Sequence, residues 1–117
     1  MGLISMDSEQ FEKTIATGKV AIVCFFAEWC APRETVAPVM EELAAFYGDR
    51  VIVALVDADS AGYLPIELGI FAMPTTLIYQ HGNEMERLSG VDSADVYKQL
   101  LNVYLDPDSY DTLGYLS

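Results

Sequence analysis

A chain of 117 residues is long enough for one domain with a substantial core, and 52% of its residues are hydrophobic. Its formal net charge of −12 argues against nucleic acid and anionic membranes as partners, because phosphate contacts need Lys and Arg. The excess of acid fits either a soluble protein that repels its own copies or a protein with a basic target. The apolar runs are far shorter than the ~20 residues that span a bilayer. No secretory signal is visible at the start, so a cytoplasmic location is expected.

The first half of the chain predicts helices that alternate with buried strands. The predicted elements are a short strand at 3–6, a helix from Asp7 or Ser8 to Gly18, a strand at 20–26, a helix from about Cys30 to Gly48 and a strand at 51–56. Both longer strands are continuous apolar runs, as is typical of strands covered on both faces. This alternation requires parallel strands with right-handed crossovers.

The second half adds a predicted hairpin and a last helix. The predicted elements are a loop with a short helix at 57–69, strands at 75–79 and 84–88 around a turn at 81–83, and a helix capped by Ser93 with an apolar stripe of Val96, Leu100, Val103 and Tyr104. The predicted fold class is therefore α/β, with a central mixed sheet flanked by helices on both faces. Residues 1–105 form the domain. Residues 106–117 form an acidic tail, either disordered or docked through Tyr110, Leu113, Tyr115 and Leu116.

The stretch Trp29-Cys30-Ala31-Pro32-Arg33 carries the predicted chemistry. It places Cys30 where a buried strand ends and a helix begins, and the first-turn N–H groups of a helix favour a thiolate there. Arg33 lies one helical turn further on and could bring a guanidinium near the sulfur. Cys30 is therefore a candidate nucleophile, and the alternative is a thiol at an inactive site.

The remaining candidate residues predict little chemistry. Cys24 lies within a strand and should behave as a small buried hydrophobe, and a disulfide to Cys30 would require distortion. His81 is expected at the surface in a turn. Because two cysteines and one distant histidine cannot close a metal site, neither a metal nor a cofactor is expected. The acidic face of the second helix is interpreted as a solvated surface formed by Glu34, Glu41 and Glu42.

Over about residues 8–105 the sequence resembles the thioredoxin family. The resemblance rests on 26–32 (Phe-Ala-Glu-Trp-Cys-Ala-Pro), on Ala37-Pro38, on 69–75 (Gly-Ile-Phe-Ala-Met-Pro-Thr) and on Gly82 and Gly90. It implies a thioredoxin fold with a cis peptide bond between Met73 and Pro74, opposite Cys30. It also implies a groove that binds an extended peptide, formed by Trp29, Pro32, Met73, Pro74 and Gly90.

Two departures from the family pattern concern the chemistry. Arg33 stands where the family carries a second cysteine, so a mixed disulfide at Cys30 has no internal thiol to release it. Cys24 matches a buried Asp of the family, and Leu55 matches the Lys that accompanies it. Losing both members is physically sensible, because burying one charge without the other would be costly.

The resemblance leaves two hypotheses about function. In the first, the protein acts in thiol-disulfide exchange through Cys30, possesses catalytic residues Cys30 and Arg33, and relies on an external thiol such as glutathione. In the second, the groove beside Trp29 and Pro74 binds a peptide or protein, basic in character, without redox chemistry. Ordinary dithiol reductase activity is disfavoured in either case.

Overall fold

A five-stranded mixed sheet with helices on both faces forms the molecule, as the computed structural model shows for residues 2–106. The elements are β1 (Ile4–Met6), α1 (Ser8–Ala16), β2 (Ala21–Phe26), α2 (Arg33–Tyr47), β3 (Ile52–Asp57), α3 (Leu64–Glu67), β4 (Thr75–Gln80), β5 (Asn83–Ser89) and α4 (Ala94–Leu105), with 3-10 turns at Gly48–Arg50 and Ala58–Ser60. The strand order is β1-β3-β2-β4-β5. The pairs β1–β3 and β3–β2 are parallel, whereas β2–β4 and β4–β5 are antiparallel. The predicted fold class is confirmed, and the predicted tail lies outside the described residues from position 107 onward.

Alternation along the strands divides the core into two layers, because successive side chains point to opposite faces of a sheet. Helices α2 and α4 cover one face, where β2 contributes Ile22 and Cys24. Helices α1 and α3 cover the other face, where β2 contributes Val23 and Phe25. All six residues of β2 are buried, which explains its unbroken apolar sequence.

The strand register sets a row of four side chains across the face that α2 covers. Ser5 pairs with Leu55, Leu55 with Cys24, and Cys24 with Thr76. Leu55, Cys24 and Thr76 are fully buried, whereas Ser5 lies on the edge strand and is exposed. Cys24 and Leu55 are therefore direct neighbours in the core.

The buried face of α4 differs from its predicted stripe. Ala94, Tyr97 and Leu101 are the buried residues of this helix, while Val96 is 37% exposed. Leu100 packs only partly against the core. The predicted stripe did not include Tyr97, whose hydroxyl finds hydrogen-bond partners in the core.

The turn between β4 and β5 holds its first residue in an unusual conformation. His81 is exposed with φ of 55°, and Gly82 follows with φ of 79°. Consecutive positive φ values are typical of a two-residue type I′ hairpin turn, in which Asn and Gly are favoured and β-branched residues are disfavoured. The His81 N–H also donates to the Gly18 carbonyl at 2.9 Å, which ties the turn to the end of α1.

Replacing His81 with valine is expected to lower the free energy of unfolding by about 1–2 kcal/mol, because a β-branched residue is strained at positive φ. His81→Asn is the matched control, and it should be neutral or slightly stabilising since Asn tolerates this region. Urea denaturation of both variants provides the measurement. Equal stability of the two variants would show that the turn does not depend on this backbone conformation.

Candidate functional site

Cys30 is exposed and lies in a turn that precedes α2 rather than in the helix itself. The N–H groups of Cys30 and Ala31 both donate to the Ala27 carbonyl, at 3.1 and 2.7 Å. Pro32 is extended, with ψ of 160°, and α2 begins only at Arg33. The predicted helix start near Cys30 is therefore wrong by three residues. The cause is Pro32, because a residue that precedes proline is disfavoured in the helical conformation.

The first turn of α2 is capped by a carboxylate. The Arg33 backbone N–H donates to Glu28 Oε1 at 3.2 Å. A negative charge at this place is stabilised by the helix dipole. The Arg33 guanidinium extends to the edge of the sheet, where Nη1 donates to Ser5 Oγ at 2.9 Å. The predicted effect of Arg33 on the Cys30 sulfur stays a prediction.

The segments that carry the predicted groove residues lie at the end of the sheet where β2 ends, and their joining into one groove stays a prediction. The Met73–Pro74 peptide bond is cis, and both residues are half-buried. The Gly90 N–H donates to the Pro74 carbonyl at 2.8 Å, so the segment after β5 runs beside the proline. Thr75 pairs with Phe25 at the end of β2, which places this segment next to the strand that leads to Cys30.

Trp29 directly precedes Cys30 in the chain, and a hydrogen bond anchors its indole ring. Its indole Nε1–H donates to Asp59 Oδ1 at 3.1 Å, while the side chain stays 73% exposed. Asp59 belongs to the 3-10 turn after β3. The indole therefore offers an apolar surface to solvent directly next to Cys30.

Two buried hydroxyl groups, on β4 and α4, form a hydrogen-bonded chain next to these segments. The sequence did not predict this chain. The Tyr97 hydroxyl donates to Thr76 Oγ1 at 3.4 Å, and Thr76 Oγ1 donates to the Gly90 carbonyl at 3.5 Å. Tyr97 also accepts the Asp92 N–H at 2.8 Å. The chain links the sheet interior to the segment that flanks Pro74. A signal was present in the sequence, since threonine inside a buried strand needs a polar partner.

The buried thiol of Cys24 lies next to this chain. Burial raises the pKa of Cys24 to about 11, and a hydrogen bond with Thr76 opposes that shift. A thiol with such a high pKa is almost entirely protonated near neutral pH, and the side chain is fully buried. Cys24 is therefore inert as a nucleophile in the folded protein.

The folded protein is expected to lose roughly 2–3 kcal/mol of stability between pH 9 and pH 11 through Cys24, because its pKa rises from 9.0 to about 11 on folding. The unfolded chain deprotonates first in this window, so unfolding is favoured as the pH rises. Urea denaturation across this range measures the effect, and Cys24→Ala is the control that should remove it. An identical pH profile for the variant would show that the thiol is hydrated in the fold.

A second feature that the sequence analysis missed is a guanidinium clamp on the loop before Pro74. Arg87 of β5 donates to the carbonyls of Leu68 at 2.6 Å and Gly69 at 3.2 Å, which end α3. The same guanidinium binds both carboxylate oxygens of Glu84, at 2.7 and 2.8 Å. The hydrogen bond from Arg87 lowers the pKa of Glu84. The clamp holds the start of the loop that leads to Met73.

The described residues provide neither a metal cluster nor a membrane-spanning helix. Within residues 2–106, no set of three or more His, Cys, Asp and Glu side chains is arranged to hold a metal ion. In the same range, no helix is long and apolar enough to cross a bilayer. The candidate site is Cys30 with the groove that is predicted beside it.

A mixed sheet of this strand order, with an exposed cysteine before α2 and a cis-proline before β4, is typical of a thioredoxin-type protein. A family model described as Thioredoxin matches residues 2–102. Thioredoxin-1 of Schizosaccharomyces pombe is 33% identical over 88 residues, which cover 75% of this chain and 84% of the relative. Thioredoxin of Chlamydia caviae is 33% identical over 97 residues, covering 83% and 93%. The solved thioredoxin of Plasmodium falciparum superposes with a TM-score of 0.72 at 30% identity, covering 89% of this chain and 99% of that one.

The chain belongs to the thioredoxin family. Membership indicates thiol-disulfide redox chemistry with protein partners, which is the activity of this family. Arg33 stands three residues after Cys30 in this chain.

Proposed function

We propose that this protein performs thiol-disulfide exchange with a single thiol and passes through a mixed disulfide with a protein partner. The observation that carries the proposal is the exposed Cys30, which follows Trp29 at the end of the sheet where the segment with the cis Met73–Pro74 bond leads into β4. Arg33 occupies the position of the second cysteine and donates to Ser5 instead. The site has a nucleophile and a groove for a partner, but no neighbouring thiol.

The proposed reaction has two steps. In the first, the Cys30 thiolate attacks one sulfur of a partner disulfide, a bond from Cys30 to that sulfur forms, and the other partner sulfur leaves as a thiolate that takes up a proton. In the second, an external thiolate such as glutathione attacks the partner sulfur of the mixed disulfide. Cys30 then leaves as a thiolate, and the partner carries the disulfide to the external thiol.

The second step needs an external thiol because the chain offers none. The sequence contains two cysteines, and the other one is Cys24. Cys24 is fully buried on the face of the sheet that α2 covers, and its raised pKa keeps it protonated. A second thiol of the partner could serve in place of glutathione.

An alternative function is peptide binding without redox chemistry in the same groove. The feature that favours it is the exposed indole of Trp29, together with half-buried Met73 and Pro74 at the same end of the sheet. An extended peptide could pair with the backbone there, as peptides do at exposed sheet edges. In this alternative the sulfur of Cys30 is dispensable.

Replacing Cys30 with serine is expected to abolish mixed-disulfide formation, at least a hundredfold in rate, because a neutral hydroxyl cannot replace a thiolate nucleophile. Each protein is incubated with a disulfide-bonded peptide, and formation of the covalent adduct is followed by mass spectrometry. Cys24→Ala is the control, and it should form the adduct at the rate of the unmodified protein.

The same variants separate the two functions. Binding of a reduced peptide that survives Cys30→Ser, with no adduct on the unmodified protein, would favour the alternative. An adduct on Cys24 instead of Cys30 would overturn the proposed site.

A further inference from the structure

Four large apolar side chains are exposed around one end of the sheet. They are Trp29, Tyr63, Ile66 and Phe71, with exposed fractions of 73%, 79%, 63% and 82%. Three of them belong to residues 57–73, which run from the last residue of β3 toward β4 and which we name the α3 lobe. Monomeric proteins rarely expose such a group, and exposed apolar patches often mark sites of protein interaction.

Hydrogen bonds hold the α3 lobe together and join it to Trp29. The Trp29 indole donates to Asp59, at the start of the lobe. The Ile70 N–H donates back to the Pro65 carbonyl at 2.8 Å, so the chain folds onto α3 just before Phe71. Tyr63 directly precedes α3 and Ile66 lies within it, three residues further on, a spacing that favours side chains on one face. The apolar surface next to Cys30 thus continues from the indole onto the lobe.

The remaining exposed apolar residues lie elsewhere and have other surroundings. Phe46, on α2, is 53% exposed and lies under the Lys98 ammonium, with Nζ 4.2 Å from the ring centroid. Met85 lies on the outer strand β5, and Val96 lies on α4. The α3 lobe and Trp29 therefore form the main exposed apolar surface of the described residues.

The charges on this surface have one sign. The α3 lobe carries Asp57, Asp59 and Glu67 and contains no Lys or Arg. The guanidinium that touches the lobe is that of Arg87, which binds both oxygens of Glu84. A ligand that covers the apolar side chains would thus approach a surface on which the lobe contributes carboxylates and no cations.

We propose that the α3 lobe and Trp29 dock a partner segment that presents large apolar side chains flanked by lysines or arginines. This inference rests on the proposed function, because it names the partner that Cys30 meets, and it extends the contact beyond the groove onto Tyr63, Ile66 and Phe71. Apolar burial supplies the affinity, and the rim carboxylates select cationic flanks and speed association. A second copy of the chain would bring carboxylates against carboxylates, since each copy carries a net charge of −12.

Titration of Trp29 fluorescence tests the inference, because Trp29 is the sole tryptophan of the chain. The protein is the Cys30→Ser variant, so that no covalent step contributes to binding. Three short peptides share two leucines and differ only in flanks of lysine, serine or glutamate. We expect the lysine peptide to bind at least tenfold more tightly than the glutamate peptide at low salt. At about 1 M salt, where the screening length is roughly 3 Å, the difference should shrink severalfold.

Paired variants locate the contact on the surface. Ile66→Ser combined with Phe71→Ser should weaken binding of the lysine peptide about tenfold. Phe46 is also an exposed apolar residue, and Phe46→Ser should leave the affinity for this peptide unchanged. Glu67→Lys should weaken binding of the lysine peptide severalfold. Glu41→Lys makes the same change in net charge on α2, and it should have little effect on this binding. All five positions are exposed, so these variants are expected to fold.

The outcomes separate this inference from the proposed function. Equal affinity for the lysine and glutamate peptides, or equal losses for the lobe variants and their controls, would overturn the docking surface. Concentration-dependent dimerisation in sedimentation that the lobe variants abolish would overturn it as well. Reactivity of Cys30 is tested apart on the unmodified protein, with a small uncharged dipyridyl disulfide that releases thiopyridone. If that disulfide fails to react while the lysine peptide binds, the proposed exchange is wrong and the docking surface stands.

Discussion

Replacing Arg33 with cysteine is expected to shorten the lifetime of the mixed disulfide at Cys30 by about a hundredfold or more, because a thiol held beside the bond attacks it intramolecularly. The introduced thiolate would bond to the Cys30 sulfur, and the partner would leave as a thiolate that takes up a proton. Arg33 is the first residue of α2, and its backbone N–H is held by Glu28, so the new thiol would have a fixed position. Fluorescence anisotropy of a dye-labelled peptide, first joined to Cys30, measures its release.

Arg33→Ser is the matched control for this variant. It removes the guanidinium and its bond to Ser5 as the cysteine variant does, but supplies no sulfur. Equal release rates from the two variants would mean that position 33 is not placed to resolve the disulfide. The interpretation of position 33 as the place of a second, resolving thiol would then be wrong.

The architecture could be predicted from the sequence because its signals are local and consistent. The strand at 20–26 is an unbroken apolar run, and the structure buries Ala21–Phe26 completely. Glycines mark the boundaries, and Gly18, with φ of 76°, follows the last turn of α1. Patterns of this kind depend on neighbours along the chain, so they can be read without the tertiary structure.

The errors arose where one residue type has two possible roles. Pro32 was taken as a first-turn residue, a common place for proline, but it stands in an extended conformation before the helix. The predicted stripe of α4 did not include Tyr97, although it is fully buried. Tyrosine can serve in the core or at the surface, because its ring is apolar and its hydroxyl needs a partner when it is buried. The hydrogen bonds of Tyr97 to Thr76 and Asp92 depend on contacts between distant segments, and the chain order does not reveal them.

The candidate site shows the same division between local and distant features. Cys30, Trp29 and Pro74 were identified from motifs, and the register of β2 with β4 places the segment of Pro74 beside the strand that leads to Cys30. The clamp of Arg87 on the carbonyls of Leu68 and Gly69 could not be predicted, because it joins an edge strand to the end of a short helix. Such contacts leave no periodic trace in the sequence.

Replacing Cys24 with aspartate is expected to lower the free energy of unfolding by about 3–5 kcal/mol at pH 7, because it buries a carboxyl group without a cation. Cys24 faces Leu55 across β2 and β3, and both side chains are fully buried. Adding Leu55→Lys would place an ammonium at that neighbouring position and should restore part of the loss. Urea denaturation of the two single variants and the double variant should give a coupling of at least about 1 kcal/mol.

The pH dependence of this loss shows whether charge or polarity causes it. A buried carboxyl has a raised pKa, so Cys24→Asp should be most destabilising near neutral pH and less so toward pH ~4, where the unfolded carboxyl is also protonated. Cys24→Asn, similar in size but never charged, should show a loss that does not change over this range. A small, pH-independent loss in the aspartate variant would mean that water reaches this part of the sheet. The interpretation of Cys24 and Leu55 as an apolar replacement for a buried charged pair would then be wrong. The lack of a resolving thiol would be the remaining difference between this chain and the dithiol pattern of the family.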